Sequence, residues 1–392
     1  MRIAVVAESF LPHMNGVTHS LLRVVEHLRS RGDEALIIAP SSSWLDDEAP
    51  AEVSGYPVVR LPSFPLSGYA NVRVAAGTVL RVRRILEDFA PDVVHIASPF
   101  VLGWRAVQAA NQLGLPSVAI YQTEVPNYAA RYGFPWLENF LWQRVVNIHD
   151  AATLTLAPST FAINQLHAHG VQRVHMWRRG VDTTRFSPRN YDGEWRASVA
   201  GSRKIVGYVG RLAAEKQVED LARVSEMPGV QLVVVGSGPS KAGLQALMPR
   251  AHFAGFQAGA DLARLMASFD VFVHPGESET FCQTVQEAMA SGVPVVAVGR
   301  GGPLDLVRPS YTGWLYEPGD LDGMVASVRD LVGDDAKRRA FAATAHAEVQ
   351  GRTWPVLCES LVSFYQRAML VKRRTIAAGR AFVTAPEVDF EY

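Results

Sequence analysis

The chain of 392 residues is longer than one hydrophobic core usually supports, so its length favours two domains. Hydrophobic residues make up 48% of it and charged residues 19%, a composition that excludes a disordered chain. The 38 basic residues balance the 38 acidic residues, which argues against nucleic acid as the main partner.

Targeting and membrane-spanning segments are not recognisable in the sequence. The chain opens with RIAVVAESF, without the basic leader and apolar stretch of a secretory signal. No run approaches the roughly 20 apolar residues that a membrane-spanning helix needs. Cys282 and Cys358 are too few for a disulfide framework, and we predict two reduced core thiols. We expect a cytoplasmic protein whose contact with a membrane, if it makes one, is peripheral.

The first half of the chain alternates between strand and helix patterns. An apolar run at residues 3–7 is followed by a loop that contains Gly16 and by apolar residues at helical spacing between positions 21 and 28. Further strands are predicted at residues 35–39, 93–96, 118–121 and 153–157. Such alternation predicts a parallel, doubly wound sheet.

The second half repeats this α/β pattern. Strands are predicted at residues 204–209, 232–235, 271–274 and 293–297. The stretch RRGVDTTRFSPRNYDGEW between the halves lacks apolar periodicity and marks a boundary. We therefore predict an N-terminal domain of residues 1–185 and a C-terminal domain of residues 186–353. Ligands of open α/β sheets bind beyond the carboxyl ends of the strands, so we expect functional residues there, facing a cleft between the domains.

Two basic segments are candidates for contact with a membrane. The segment at residues 72–86 is predicted as an amphipathic helix with a basic outer face, which lies either in solvent or on an anionic membrane. Its arginines are Arg73, Arg81, Arg83 and Arg84. Residues 354–372 are predicted as a last helix and residues 373–392 as a tail. We expect the basic start of this tail to be solvated, with lipid head groups as the alternative partner.

The segment PGESETFCQTVQEAMASGVPVVA at residues 275–297 gives the strongest indication of chemistry. A helix is predicted at residues 281–290. In this helix Glu287 lies two turns from the start, and Glu279 lies at the start, about 12 Å away. That distance is about the span of a nucleotide sugar from its sugar hydroxyls to its ribose. The alternative is an amphipathic helix with two solvated glutamates. A diphosphate between the two carboxylates would face unpaired backbone N–H groups in the first turn of the helix. These N–H groups belong to Phe281, Cys282, Gln283 and Thr284.

Cations and glycines follow other predicted strands. GRLAAEK places Arg211 and Lys216 at a strand end, where two cations suit a diphosphate; the alternative is a surface pair with Glu215. Gly16 either permits close approach of the backbone to a phosphate or is an ordinary turn glycine. The glycine-rich VVVGSGP at residues 233–239 is either a loop near a nucleotide base or a tight turn. The absence of GxGxxG after the first strand argues against a nicotinamide-dependent dehydrogenase.

Polar side chains also follow strands of the first domain. YQTEVPNY supplies Gln122, Thr123 and Glu124 to the cleft, where they are candidates to bind hydroxyl groups of a donor or an acceptor. His95 and His274 lie at strand ends as well. Each is interpreted either as a packed or loop-orienting histidine or as a catalytic one, because neither has an evident carboxylate partner in the sequence.

The sequence gives no indication of a resident metal or other cofactor. The pair Asp320 and Asp322 in EPGDLDGM is interpreted as the start of a helix with an N-cap, rather than as a metal site. No Cys/His spacing is typical of zinc, and neither a P-loop nor a GxSxG motif is present.

GRLAAEK, GVDTTRF and ESETFCQTVQEAMASG, in this order, resemble the retaining glycosyltransferases of family 4, and the resemblance covers almost the whole chain. Within that family, AESFLPHMNGVTHSLLRVVEHL, YQTE and ETFCQTVQEAMASG resemble the GDP-mannose-dependent α-mannosyltransferases of bacterial, actinobacterial-type mannolipid and lipoglycan assembly. The resemblance implies the GT-B fold, in which two Rossmann-like domains face each other across a cleft and a C-terminal helix returns to the N-terminal domain.

The resemblance also implies a role for each residue of the motifs. Glu279 would bind hydroxyls of the donor sugar and Glu287 the ribose, while Arg211 and Lys216 would hold the diphosphate. Gly16 would close over the phosphates from the acceptor domain. The other donor-binding residues that the resemblance implies are Gly210, Gly255, Phe256, Thr280, Phe281, Cys282, Gln283 and Thr284.

Gln122 stands where many members of the family have a histidine near the donor sugar. A neutral amide can hydrogen-bond a sugar hydroxyl, but it cannot act as an acid or a base. The resemblance implies retention by front-face return, without a required metal, in which the leaving diphosphate accepts the acceptor's proton. The catalytic residues in that scheme are Glu279, Arg211, Lys216 and Gln122.

The resemblance thus implies transfer of α-mannose from GDP-mannose to a glycolipid or lipoglycan precursor at the cytoplasmic face of the membrane. One alternative is a family member that uses UDP-glucose or another nucleotide sugar. A second is a sugar-nucleotide epimerase of the same architecture, which would rearrange its donor without an acceptor. The glutamate pair and GRLAAEK argue against the epimerase.

Overall fold

A computed structural model of the chain describes residues 1–42, 49–66, 69–98, 100–123 and 138–383. The strands are β1 (Arg2–Val6), β2 (Glu34–Pro40), β3 (Glu52–Val53), β4 (Tyr56–Leu61), β5 (Ser63–Leu66), β6 (Tyr69–Ala75), β7 (Val93–Ile96), β8 (Ser117–Ile120), β9 (Leu154–Ala157), β10 (Val174–Met176), β11 (Lys204–Val209), β12 (Val230–Val235), β13 (His252–Gly255), β14 (Val271–His274), β15 (Val295–Val298) and β16 (Gly313–Tyr316).

The α-helices cover both faces of the sheets that these strands form. They are α1 (Gly16–Ser30), α2 (Val79–Phe89), α3 (Val101–Gln112), α4 (Glu138–Ala151), α5 (Thr160–Ala168), α6 (Gly193–Ala200), α7 (Ala222–Ser225), α8 (Lys241–Leu247), α9 (Gly259–Ala267), α10 (Gln283–Ala290), α11 (Pro303–Leu306), α12 (Leu321–Gly333), α13 (Asp335–Val349) and α14 (Trp354–Val383).

The strands form two large sheets, one in each half of the chain. The N-terminal sheet has the order β10-β9-β8-β7-β1-β2-β4-β3, and the C-terminal sheet has the order β13-β12-β11-β14-β15-β16. Within these two sheets, neighbouring strands are parallel except for the short β3, which is antiparallel to β4, and β5 and β6 form a separate antiparallel pair. The central strands are apolar and buried along their length, as is typical of a sheet covered by helices on both faces. The prediction of two doubly wound parallel sheets is confirmed.

The prediction of one amphipathic helix at residues 72–86 is wrong in its first half. The chain there finishes β6, which pairs with β5, and the helix begins only after Thr78. The Thr78 side chain accepts a hydrogen bond from the N–H of Arg81, so it caps α2. Arg73 therefore lies on a strand, where its guanidinium donates to the hydroxyl and carbonyl of Ser63.

The chain crosses between the two domains twice, at neighbouring positions. Trp177 belongs to the core of the first domain and Val181 to the core of the second. On the return crossing, the carbonyl of Arg352 accepts a hydrogen bond from the N–H of Val181 at 2.8 Å. Gly180 lies so close to this segment that a Cβ atom would be 2.5 Å from the Cα of Trp354. The chain therefore passes from one core to the other near Gly180, close to the predicted boundary after residue 185.

Helix α14 returns to the N-terminal domain. Leu361 and Tyr365 pack in the same core as Leu21 and Val25 of α1. The Tyr365 hydroxyl lies 2.6 Å from Nδ1 of His95, and burial lowers the pKa of His95 to about 3, so this histidine is a packed neutral one.

The same helix is longer than predicted. It continues to Val383, past the predicted end at residue 372, because residues 372–378 are mostly good helix formers without proline. The last part of the predicted tail, residues 384–392, lies outside the described residues. Within the described part of the chain, no helix is both long and apolar enough to cross a membrane.

Candidate active site

Lys216 and Glu279 form an ion pair beyond the carboxyl edge of the C-terminal sheet. Lys216 ends the helical turn Ala214–Lys216 after β11, and Glu279 lies in the loop between β14 and α10. The Lys216 Nζ donates to Oε1 of Glu279 at 2.5 Å, and the side chains are 18% and 15% exposed respectively. Two motifs that are 63 residues apart in the sequence therefore meet in one contact.

The charges around Glu279 keep it ionised. Burial alone would raise the pKa of this carboxyl, but the Lys216 ammonium and the His274 ring outweigh it and lower the pKa to about 2. Burial alone would likewise lower the pKa of His274, but Cys282 and Glu279 beside it raise that pKa to about 9. Glu279 is therefore a carboxylate at neutral pH, which can accept hydrogen bonds from hydroxyl groups but cannot donate a proton.

Helix α10 begins later than predicted. Cys282 has a φ of 71°, in the left-handed region, and the first helical residue is Gln283 rather than Phe281. A left-handed residue does not continue a right-handed helix, so Glu279 lies in a loop and not on the helix itself. No described side chain caps the start of α10, which leaves first-turn N–H groups available to an anion.

Two glycines that we did not predict as site residues support this loop. The N–H of Gly302 donates to the carbonyl of Glu279 at 2.7 Å, and a Cβ on Gly302 would lie 2.2 Å from the carbonyl oxygen of Phe281. Gly301 has a φ of 71°, and a Cβ there would lie 2.6 Å from the Glu279 carbonyl. The GRGG run after β15 is the sequence signal that points to this close approach of two loops.

Three glycine-containing loops meet through their backbones at the same edge. The N–H of Gly236 donates to the carbonyl of Gly255 at 2.8 Å, and a Cβ on Gly236 would lie 1.9 Å from the carbonyl oxygen of Gly210. The glycine-rich loop at residues 233–239 thus joins Gly210 and Gly255, two of the three glycines predicted to bind the donor. Phe256 follows directly, and its side chain is 70% exposed, so its ring is free to stack on a ligand.

Arg211 and Glu287 differ in exposure: the Arg211 side chain is half exposed, whereas Glu287 is buried. The Arg211 side chain is half exposed, and its guanidinium lies 3.9 Å from Oε1 of Glu215, a loose contact. Glu287 lies in the second turn of α10 and is 7% exposed. Burial raises the pKa of Glu287 to about 8, although Gln283 and Arg185 act in the opposite direction. Glu287 is therefore a neutral carboxyl at neutral pH, unlike Glu279.

Gln122 connects the two domains instead of presenting a free amide. Its Nε2 donates to the carbonyl of Ala97 at 2.9 Å, and its Oε1 accepts a hydrogen bond from Nη2 of Arg179 at 2.8 Å. Its main-chain carbonyl accepts from the Thr280 hydroxyl at 3.0 Å, across the domain boundary. Gln122 is 6% exposed and bonded at both ends of the amide, which holds its side chain in place, and its catalytic role stays a prediction.

Arg179 brings Gly16 into the same network. A Cβ on Gly16 would lie 3.2 Å from Nη1 of Arg179, and the Arg179 carbonyl accepts from Nε2 of Gln286 on α10. The side chain of Asn15 caps α1 by accepting from two first-turn N–H groups, so an anion at Gly16 has fewer free donors than predicted. We did not predict Arg179, and the arginine pair of WRRGVD is the only sequence signal for it. Glu124 lies outside the described residues.

The Asp320 side chain and the two cysteines lie as the sequence predicts. The Asp320 side chain accepts from the N–H of Gly323 at 2.8 Å at the start of α12, so the predicted N-cap is confirmed. Cys282 and Cys358 are both buried free thiols, as predicted.

Comparison with known proteins identifies close relatives along the whole chain. Residues 14–185 match the model of Glycosyltransferase Family 4, and residues 194–348 match that of Glycosyl transferases group 1. The chain is 47% identical over 383 residues to the GDP-mannose-dependent alpha-mannosyltransferase of Mycolicibacterium smegmatis, which covers 96% of this chain and 100% of that protein. It is 46% identical over 381 residues to the protein of the same name from Mycobacterium tuberculosis, with 96% and 99% covered.

A solved structure shares the fold. The crystal structure of HepE from Anabaena in complex with UDP-glucose matches with a TM-score of 0.74 at 20% identity, covering 94% of this chain and 100% of that chain. Together, the two parallel sheets, the returning helix and these matches define a GT-B glycosyltransferase, and the predicted fold class is confirmed. The chain belongs to glycosyltransferase family 4, in the group of the GDP-mannose-dependent alpha-mannosyltransferases.

Proposed function

We propose that this enzyme transfers α-mannose from GDP-mannose to a lipid-linked acceptor, with retention of configuration. The observation that carries the donor assignment is the 47% identity, over 96% of the chain, with an enzyme named for GDP-mannose. The ion pair of Lys216 with Glu279 supplies the matching chemistry, since a cation for phosphate and an acceptor for sugar hydroxyls lie side by side.

Each end of the donor has a suitable partner in the C-terminal domain. Lys216 and the half-exposed Arg211 bind the diphosphate and stabilise the charge that develops on the departing GDP. The ionised Glu279 accepts hydrogen bonds from mannose hydroxyls. The buried, neutral Glu287 binds the ribose hydroxyls, for which a protonated carboxyl offers both a donor and an acceptor. The exposed ring of Phe256 stacks on the guanine.

Retention follows from attack on the same face of the sugar from which GDP departs. The acceptor oxygen bonds to the anomeric carbon as the bond to the phosphate oxygen breaks, and the leaving phosphate takes the acceptor's proton. The same oxygen of Glu279 contacts both Lys216 and His274. This arrangement suits a group that binds the sugar better than one that attacks it as a nucleophile. The amide of Gln122 does not titrate and is bonded at both ends, so no step needs it as a base.

A lipid-linked acceptor agrees with the basic surface of the N-terminal domain. On α2, Arg81 and Arg84 are exposed beside Leu80, which is 49% exposed. On α14, Arg373 and Arg374 are also exposed. Basic groups beside an exposed apolar side chain are typical of peripheral attachment to an anionic membrane. We propose that α2 lies on the inner leaflet while the acceptor enters the cleft, and that transfer requires no metal.

A panel of nucleotide sugars tests the donor assignment. A ligand that binds the folded state raises the melting temperature, and we expect a larger rise with GDP-mannose than with UDP-glucose. Lys216→Ala should reduce the rise. Lys204→Ala is the matched control, because Lys204 contacts Asp335 at the opposite end of β11. A rise with UDP-glucose and none with GDP-mannose would reject the proposed donor.

A further inference from the structure

Three potential metal ligands meet beside the Lys216–Glu279 ion pair. One ligand atom from each of His274, Glu279 and Cys282 lies within 4.8 Å of the other two. His274 ends β14, and Cys282 immediately precedes α10, where its left-handed φ turns the chain. His274 and Cys282 are 2% and 4% exposed, so packing and not solvent fixes their positions.

The ring nitrogens of His274 are available to bind a ligand. Neither ring nitrogen makes a well-directed hydrogen bond to a described residue. Nε2 lies 3.2 Å from Oε1 of Glu279, a short contact but one poorly directed for a hydrogen bond. The ring lies among Tyr208 and Phe272, with ring centroids 6.1 and 6.5 Å away, which offer it no polar partner. A buried nitrogen without a well-directed hydrogen bond is costly, so a cation that takes the place of a proton at Nε2 would be favourable.

The chemistry of the three donors selects one class of ligand. Sulfur, imidazole nitrogen and carboxylate oxygen are together the ligand set of zinc-like cations, whereas calcium and magnesium take oxygen ligands. Three protein ligands leave a position of a tetrahedral site open. We propose that His274, Glu279 and Cys282 bind a thiophilic divalent cation such as Zn²⁺ or Cd²⁺, and that the bound cation inhibits the enzyme.

Inhibition follows from the contact that the cation must break. Lys216 Nζ already lies 2.5 Å from the Glu279 carboxylate, and an ammonium and a divalent cation repel each other at one carboxylate. The cation therefore displaces Lys216 and takes Glu279 away from the donor. This part of the inference rests on the proposed function, in which both residues bind GDP-mannose. Inhibition should be competitive with the donor, so the apparent KM for GDP-mannose rises while kcat is unchanged.

A cadmium titration of the metal-free protein tests the site without using activity. We expect a sulfur-to-cadmium charge-transfer band in the ultraviolet that saturates at one equivalent. Cys282→Ser should weaken cadmium binding by more than about 100-fold, since it removes a ligand and not merely an outer partner. Cys358→Ser is the matched control, because Cys358 is a buried thiol in the other domain, and it should leave the band unchanged.

A second measurement on the wild-type protein needs no variant. GDP-mannose added to the cadmium-loaded protein should weaken cadmium binding, because both ligands require Glu279. The absence of a band, or a band that persists in Cys282→Ser, would overturn the site, as would cadmium binding unaffected by a donor that binds. A band without loss of activity would overturn the inhibition. If the metal-free enzyme transfers no mannose at all, the proposed function fails, and the band still decides whether the site exists.

Discussion

Lys216 and His274 converge on the same oxygen of Glu279, at 2.5 Å and 3.2 Å. Glu279 is thereby ionised with a pKa of about 2, whereas Glu287, eight positions later, has a pKa of about 8 because burial outweighs the hydrogen bond with Gln283 and the charge of Arg185. The two glutamates of the motif therefore differ in ionisation at neutral pH. We interpret them as binding groups for two parts of one donor and not as an acid/base pair.

Removal of the Lys216 ammonium should impair the chemical step. Lys216→Ala takes away a cation that we place beside the departing GDP, so kcat should fall by about 10²- to 10³-fold. Release of GDP under saturating donor measures the effect. Lys204→Ala, which alters only an exposed pair with Asp335, should keep wild-type kcat. A Lys216→Ala enzyme with near wild-type kcat would remove the proposed role.

The pH dependence of folding stability should reveal the neutral Glu287. Burial raises the pKa of its carboxyl from 4.5 to about 8, so the folded state retains a proton that the unfolded state releases. Stability from this group is full below about pH 4.5 and is lost as the pH rises towards about 8. In Glu287→Gln, which stays neutral, the melting temperature relative to wild type should rise over that interval. The exposed Glu219→Gln is the control, and parallel pH curves for Glu287→Gln and wild type would contradict this interpretation.

Gln122→Ala should separate positioning from acid/base catalysis. The change removes an acceptor from the buried Arg179 guanidinium and should cost about 1–3 kcal/mol in the free energy of unfolding. Denaturant unfolding measures that cost. We expect kcat to fall without any change in its pH profile, since an amide does not titrate. Gln172→Ala, at an exposed glutamine, should change neither quantity. Loss of a titrating limb from the pH profile of Gln122→Ala would contradict the positioning role.

Charge reversal on α2 should weaken attachment to a membrane. Each basic group near an anionic surface contributes about 1 kcal/mol, so the double variant Arg81→Glu and Arg84→Glu should lower affinity for phosphatidylglycerol vesicles by at least about tenfold. Co-sedimentation with the vesicles measures it. Arg329→Glu, an exposed change on the C-terminal domain, should have a much smaller effect. Equal binding by both variants would place the membrane contact elsewhere.

The sequence was sufficient to predict the fold because its parallel strands are continuous apolar runs. It was insufficient at residues 72–86, where the apolar residues at positions 72, 75, 76 and 79 also fit a helical spacing and Thr78 gives only a weak sign of the cap. The start of α10 was misjudged for a different reason. A positive φ at Cys282 is set by packing of the loop against Gly301 and Gly302, and cysteine carries no preference for that conformation.

The sequence likewise predicts some contacts of the candidate site and not others. Lys216 and Glu279 could be brought together from the sequence, since both follow strands of one parallel sheet and such ends share an edge. The contact of Arg179 with Gln122 could not, because Arg179 lies in the segment that crosses between the domains, outside any strand or helix, and no strand end indicates where its side chain lies. The hydrogen bonds of the Gln122 amide to Ala97 and Arg179 also depend on tertiary packing, which no motif in the sequence indicates.

The most direct test of the central claim is analysis of the products formed by metal-free enzyme, treated with a chelator, from GDP-mannose with and without a membrane-lipid extract. We predict that GDP is released only when the lipid is present, and that the lipid gains mannose in α linkage. An isomerised nucleotide sugar formed without lipid, a β-linked product, or transfer from UDP-glucose and not from GDP-mannose would contradict the claim.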